Sequence, residues 1–279
     1  MHTQTAYLPL STYPEAAPDD SILAAFGFAI SLGCAVHVTT FAVSIPQMRT
    51  PLSGTFLLDV PALVRANEER SKADCLRLQG LVQKAAGSQP KLDVSTRTIV
   101  VGAALDAAAA EARYYDLSVV PWYGETLLAQ DMAQSVVFGS GRPTILVPPS
   151  ARPAPLEHIA IAWDGSRVAA RALWDALALL PENGRLTVLT IRDEKPLSGT
   201  DLARSLASSL EKRGYNAKPL NIMLSERTIA KALQDSAVET GAQLLAMGGF
   251  GHSRVRDFIL GGATKGVLSD LRMPILLSH

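Results

Sequence analysis

Two cysteines, Cys34 and Cys75, are all the cross-linking sulfur that the 279-residue chain carries. That is too few for a disulfide framework or a four-ligand zinc site, and it suits a reducing compartment, so a cytoplasmic protein is expected. Five histidines are scattered without metal-ligand spacing, so no metal site is expected. Net charge is missing too: 26 Lys and Arg balance 26 Asp and Glu, and the sequence pI is near 7.0. A dedicated nucleic-acid binder would usually be basic, so nucleic acid is not an expected partner. The first ten residues lack a basic region and a long apolar stretch, so no secretory leader is expected. No Gly-x-Ser-x-Gly elbow is present, and no catalytic residue is assigned.

Charge is also absent from the 28 residues between Asp20 and Arg49. That is long enough to cross a bilayer. Its content argues for a buried helix followed by a buried strand. Ser21 to Phe26 begins a helical run, Gly33 breaks it, and Val36 to Phe41 is rich in β-branched residues. Ser31, His37, Thr39, Thr40 and Ser44 would be costly in lipid. No membrane partner is expected, and Cys34, between the helix and the strand, reads as core.

What is present is an ordinary globular composition, with 48% hydrophobic and 19% charged residues. The length suits two domains, each able to bury a core. The second half reads as strand His158–Trp163, helix 167–180, strand Leu186–Ile191, helix 201–213, strand 217–223, helix 228–240, strand Gln243–Met247, a glycine-rich loop, helix 264–271 and strand Pro274–Leu277. The first half repeats the order: strand Ala6–Leu10, helix 21–32, strand 36–41, helix 60–86, strand 94–99, helix 103–115, strand 117–120 and strand Pro143–Val147. Residues 148–155 hold four prolines and read as a stiff, extended linker. The expected domains are therefore 1–150 and 151–279.

Strands alternating with helices imply parallel strands, because each crossover needs a dozen or more residues. Near-continuous apolar strands imply sheets covered on both faces. The expected fold class is α/β, with two doubly wound five-stranded parallel-sheet domains in tandem. Ligands of such sheets bind beyond the carboxyl ends of the strands, at a switch in strand order. That selects the loops after Trp163, Ile191 and Met247.

The last of these loops is the most informative. Met247-Gly248-Gly249-Phe250-Gly251-His252-Ser253-Arg254 leads to Leu260-Gly261-Gly262-Ala263-Thr264. Glycines let backbone N–H groups approach an anion without a Cβ in the way. A helix starting near Gly262 adds unpaired N–H groups and the positive end of its dipole. Thr264 adds a hydroxyl. Phosphate suits these features best. His252, Arg254 and Arg256 could reach a polyphosphate, or could be the solvated face of the loop. The loop imitates a dinucleotide fingerprint, but Arg254 replaces the third glycine and the loop follows the fourth strand of its domain.

With Gly248, Gly251 and Gly261 at this spacing, Asp164 after the first strand and a closing strand after Pro274, residues 156–279 resemble the universal stress protein family. The resemblance of 1–150 is weaker. It implies a tandem member of Rossmann-like, adenine nucleotide alpha hydrolase-like fold, with ATP or another adenine nucleotide as ligand, with or without Mg. It gives Asp164 to the adenosine, Ile191 to the adenine slot, and Gly248, Gly251 and Gly261 of the loop to the phosphates; Met247, Gly262 and Thr264 complete the candidate cofactor-binding set. Gly262 departs from the pattern, since ATP-binding members usually have a hydroxyl residue there. In the first half Pro121 falls opposite Gly248, Gly124 opposite Gly251 and Ser11 opposite Asp164. From Gly124 to Pro143 the chain is four residues shorter than from Gly251 to Pro274. The first half is therefore expected to be a non-binding copy. Its net charge is −3 against +3 for the second half, which mildly favours phosphate in the latter.

The expected function is that of a stress-response protein binding ATP or ADP in residues 151–279, with at most slow hydrolysis. The alternative is a nucleotide-free interaction or dimerisation scaffold of the same family. The two halves are expected to form an intramolecular pseudo-dimer, their last strands near each other because each would otherwise leave an exposed edge. A homodimer is a further option.

Overall fold

The computed structural model describes residues 3–46, 59–87, 91–124, 126–192, 201–249 and 262–279. Apolar, β-branched runs form the strands, and helices carrying apolar residues at helical spacing connect them. In the first half the elements are β1 (Thr5–Ser11), α1 (Asp19–Ser31), β2 (Ala35–Ser44), α2 (Val60–Ala86), β3 (Leu92–Val100), α3 (Ala104–Ala112), β4 (Leu117–Pro121), α4 (Leu127–Ser140) and β5 (Thr144–Val147). The second half follows with β6 (His158–Ala162), α5 (Arg167–Leu177), β7 (Arg185–Arg192), α6 (Leu202–Glu211), β8 (Asn216–Met223), α7 (Ile229–Glu239), β9 (Leu244–Gly248), α8 (Gly262–Ser269) and β10 (Ile275–Ser278).

All ten strands form one sheet in the order β3-β2-β1-β4-β5-β10-β9-β6-β7-β8. Within each half every pair is parallel. The halves meet where β5 and β10 pair antiparallel, Leu146 opposite Ile275 and Thr144 opposite Leu277. The sequence predicts two five-stranded sheets with their last strands near each other; in the structure β5 and β10 hydrogen-bond directly, so the two sheets are continuous. Joining them removes two apolar strand edges from solvent, and Ile275, Leu276 and Leu277 are buried as a result.

Two core layers cover the sheet. One lies under α1, α2, α5 and α6, with Ile22, Leu78, Leu173 and Leu210 as anchors. The other lies under α3, α4, α7 and α8, with Ala108, Met132, Leu233 and Val267. Each layer runs through both halves. Cys34 and Cys75 are buried free thiols, and burial pushes the Cys34 thiol up to about 11.

Two local features differ from the sequence reading. The sequence reading assigns no element to residues 121–142, where α4 forms. Thr126 caps it by accepting from the Ala129 N–H at 3.2 Å, and Ala129, Met132, Ala133, Val136 and Val137 make its buried stripe. The proline segment after β5 is not an open spacer. Ala151 and Leu156 are buried, and the Pro153 ring lies so close to Gly27 of α1 that a Cβ there would stand 2.7 Å from it. No described helix is long and apolar enough to cross a membrane.

Candidate functional site

The strand order reverses between β6 and β9, and the carboxyl ends around that switch hold most of the predicted residues. Parallel register sets their level. Ala162 lies beside Leu189 of β7, and Ile161 beside Ala246 of β9. Two residues further on, Asp164 comes level with Ile191 of β7 and Trp163 with Gly248 of β9, so Asp164, Ile191 and Gly248 lie within one residue of the same edge of three adjacent strands. The edge is pinned by the Trp163 N–H donating to the Leu189 carbonyl at 2.8 Å and the Thr190 hydroxyl donating to the Trp163 carbonyl at 2.9 Å.

Asp164 is exposed, and its Oδ1 accepts from the Ser166 N–H at 2.8 Å. This turn passes through Gly165 at φ +77°. It delivers the chain to Ser166, which caps α5 by accepting from the Ala169 N–H at 3.2 Å. Ser166 was not singled out from sequence, although a short polar residue just before a helical stripe is a capping signal. Ile191 is half-buried against the core layer beneath α7 and α8. Met247 is buried in the same layer, so its side chain serves the core.

Gly248 has a packing reason of its own. A Cβ built there would lie 2.7 Å from the Ala169 nitrogen and 2.7 Å from the Val168 carbonyl carbon. The start of α5 therefore fills the space that a side chain would take. Gly251 and Gly261 lie outside the described residues, as do His252, Arg254 and Arg256. Gly262 opens α8. Since β9 and β10 are parallel, α8 must run back along the sheet, and its first turn sits at the carboxyl edge. Thr264, in that turn, is buried. The structure thus brings Asp164, Ile191, Gly248 and the start of α8 to one edge. It adds the N-terminus of α5, a second positive helix end beside the first strand. Among the described residues no group of three His, Cys, Asp or Glu is placed to hold a metal ion.

Residues 155–279 match the family model described as Universal stress protein family. They form a universal stress protein domain. Solved structures agree in fold over nearly the whole chain. A universal stress protein from Archaeoglobus fulgidus DSM 4304 is similar with a TM-score of 0.68 and 18% identity, over 98% of this chain and 97% of its own. A protein assigned to the universal stress proteins, from Pseudomonas aeruginosa UCBPP-PA14, gives a TM-score of 0.52 and 14% identity, over 99% of this chain and 93% of its own. A universal stress protein in complex with cAMP is similar over 44% of this chain and 97% of its own, with a TM-score of 0.35 and 17% identity. No curated protein matches the chain.

The first half repeats the geometry of the universal stress protein domain while lacking its loop. The Trp122 N–H donates to the Val147 carbonyl, as the Gly249 N–H donates to the Ser278 carbonyl, both at 2.8 Å. Trp122 thus stands where Gly249 stands. From there α4 begins at Leu127, whereas α8 begins only at Gly262. The crevice at the carboxyl ends of β1 and β4 is mostly apolar, lined by Pro9, Leu10, Ala17, Val120, Tyr123 and Met132. Ser11, opposite Asp164, turns its hydroxyl to the Tyr13 carbonyl at 3.1 Å.

Proposed function

We propose that the chain binds an adenine nucleotide, ATP or ADP, at the carboxyl edge of its universal stress protein domain, as a stress-response protein that hydrolyses it slowly or not at all. The observation that carries this reading is the convergence at one topological switch of Asp164, Ile191 and the start of α8 with its buried Thr264. Asp164 has a second carboxylate oxygen to offer a ribose or base, since its Oδ1 serves the turn. Ile191 provides an apolar wall for a purine. The N-termini of α5 and α8 face the phosphates, and the loop between β9 and α8 would complete their cradle, with Mg2+ as a counter-ion for the ligand's phosphates. On this reading residues 1–150 are a degenerate copy of the same domain, 151–279 the binding copy, and the two an intramolecular pseudo-dimer in the cytoplasm.

One observation favours a second reading, the nucleotide-free scaffold. The empty side-chain position of Gly248 is used by α5, so that glycine needs no ligand to explain it. Calorimetry with ATP, ADP and cAMP separates the two. The proposal expects binding to the intact chain and its loss in Gly251→Val with the far-UV spectrum unchanged. It also expects Gly262→Ser to strengthen ATP over ADP, because a recovered charge-assisted hydrogen bond is worth about 1.5–3 kcal/mol, or about ten- to hundredfold. Absence of binding in the intact chain, with no nucleotide released on denaturation, leaves the scaffold.

A further inference from the structure

The two ends of the ten-stranded sheet are built differently. At one end β8 carries Pro219 in mid-strand, which removes a backbone donor and blunts that edge. At the other end β3 runs nine residues without proline. The Val36 N–H donates to the Lys91 carbonyl at 2.8 Å, and the Val101 N–H donates to the Ser44 carbonyl at 2.9 Å. In a parallel ladder alternate residues turn their backbone groups to the neighbour. Asp93, Ser95, Arg97 and Ile99 therefore face β2, while Leu92, Val94, Thr96 and Thr98 turn their N–H and C=O groups outward. Thr96 and Thr98 are exposed.

The charges along this edge are arranged symmetrically about Ser95. Asp93 and Arg97 stand two residues to either side of it, their side chains on one face of the strand and 77% and 50% exposed. Both are held in place from within: the Asp93 carboxylate meets His37 Nδ1 at 2.8 Å, and Arg97 meets Glu111 at 3.0 Å. An antiparallel copy of the strand centred on Ser95 places each Asp93 directly opposite the other copy's Arg97. Its hydrogen-bonded pairs are then Val94 with Thr96 and Leu92 with Thr98, all of them residues whose backbone groups point outward. Centring on Thr96 instead sets Arg97 against Ser95 and Asp93 against Ile99, which gains no ion pair. Charge usually guards an edge strand against association. Here its placement is complementary to itself.

We infer that two copies of this chain associate edge to edge through β3, antiparallel about Ser95, with the Asp93–Arg97 pair formed twice across the interface. The inference is independent of nucleotide binding. Sedimentation equilibrium of the full chain tests it. The intact protein is expected to be a dimer, and Thr98→Pro, which removes an outward N–H, is expected to be a monomer. Asp93→Arg and Arg97→Asp each set like charges opposite one another at two symmetric positions, and each should weaken the dimer by about ten- to hundredfold. Asp93→Arg combined with Arg97→Asp restores opposite charges and should recover it. Circular dichroism identifies any single variant that fails to fold, and the combined variant then decides the matter. A monomeric intact protein, a dimer indifferent to the single reversals, or a folded combined variant that stays monomeric would each overturn the inference.

Discussion

Gly248 and His158 show how much a single residue can mean beyond its place in a motif. From the sequence Gly248 belongs to a phosphate loop. In the structure the start of α5 fills the space that a side chain at Gly248 would take. Gly248→Ala is therefore expected to destabilise the ligand-free protein by about 1–3 kcal/mol, read as a lower thermal midpoint without nucleotide. An unchanged midpoint would return Gly248 to a purely ligand-binding role. His158 is buried, with Nε2 2.8 Å from the Thr187 hydroxyl. Burial, with Arg185 adding to it, holds its imidazole below the usual 6.5. The unfolded chain then takes up a proton below about 6.5 that the folded chain refuses, so the stabilisation is complete above that pH and is lost as pH falls below it. Melting curves from about pH 7.5 to about 5.5 should show a smaller acid-induced drop in His158→Gln than in the intact protein. Equal drops would mean that His158 does not contribute.

Among the elements, those with clean periodicity were legible in the sequence and those defined by their neighbours were not. The 27-residue α2 and all ten strands were readable because apolar spacing, β-branched content and the turn residues between them mark them together. The α4 helix was not, although Thr126 and the stripe from Ala129 to Val137 signal it. The helix starts six residues after β4 ends, within the stretch that aligns with the glycine loop of the second half. At the candidate site the glycine spacing and Asp164 were visible; Ser166 carries a local capping signal just before the stripe of α5, while the Gly248–Val168 contact depends on where α5 lies against β9 and leaves no mark in the sequence. Ser166 permits a test at this scale. Ser166→Ala removes the cap of α5 and should cost about 1 kcal/mol. Ser166→Asp keeps a capping oxygen, and so the stability, but sets a negative charge at the proposed phosphate edge. It should weaken ATP binding while leaving the melting temperature near that of the intact protein. If Ser166→Asp binds ATP unchanged, the phosphates do not sit at the start of α5.

At the scale of the whole molecule, the sequence showed two repeats but not one sheet. Pairing of β5 with β10 joins two short strands about 130 residues apart in the chain; their apolar edges call for cover and so for proximity, but nothing in either specifies the antiparallel register that makes one sheet. Once paired, they join both core layers across the seam, since each layer draws residues from both halves. Such continuity predicts that the two halves unfold together. Leu8, in the middle of β1, is fully buried and lies three strands from the seam. Leu8→Ala should cost about 2–5 kcal/mol. The test uses a Trp122→Phe background, where Trp163 and Trp174 of the second half are the remaining tryptophans. Their fluorescence is expected to report the same lowered midpoint as the far-UV signal, although the deleted methyls lie in the other half. If the tryptophans instead hold their original midpoint while an earlier transition appears in the far-UV signal, β5 and β10 join two sheets that melt separately.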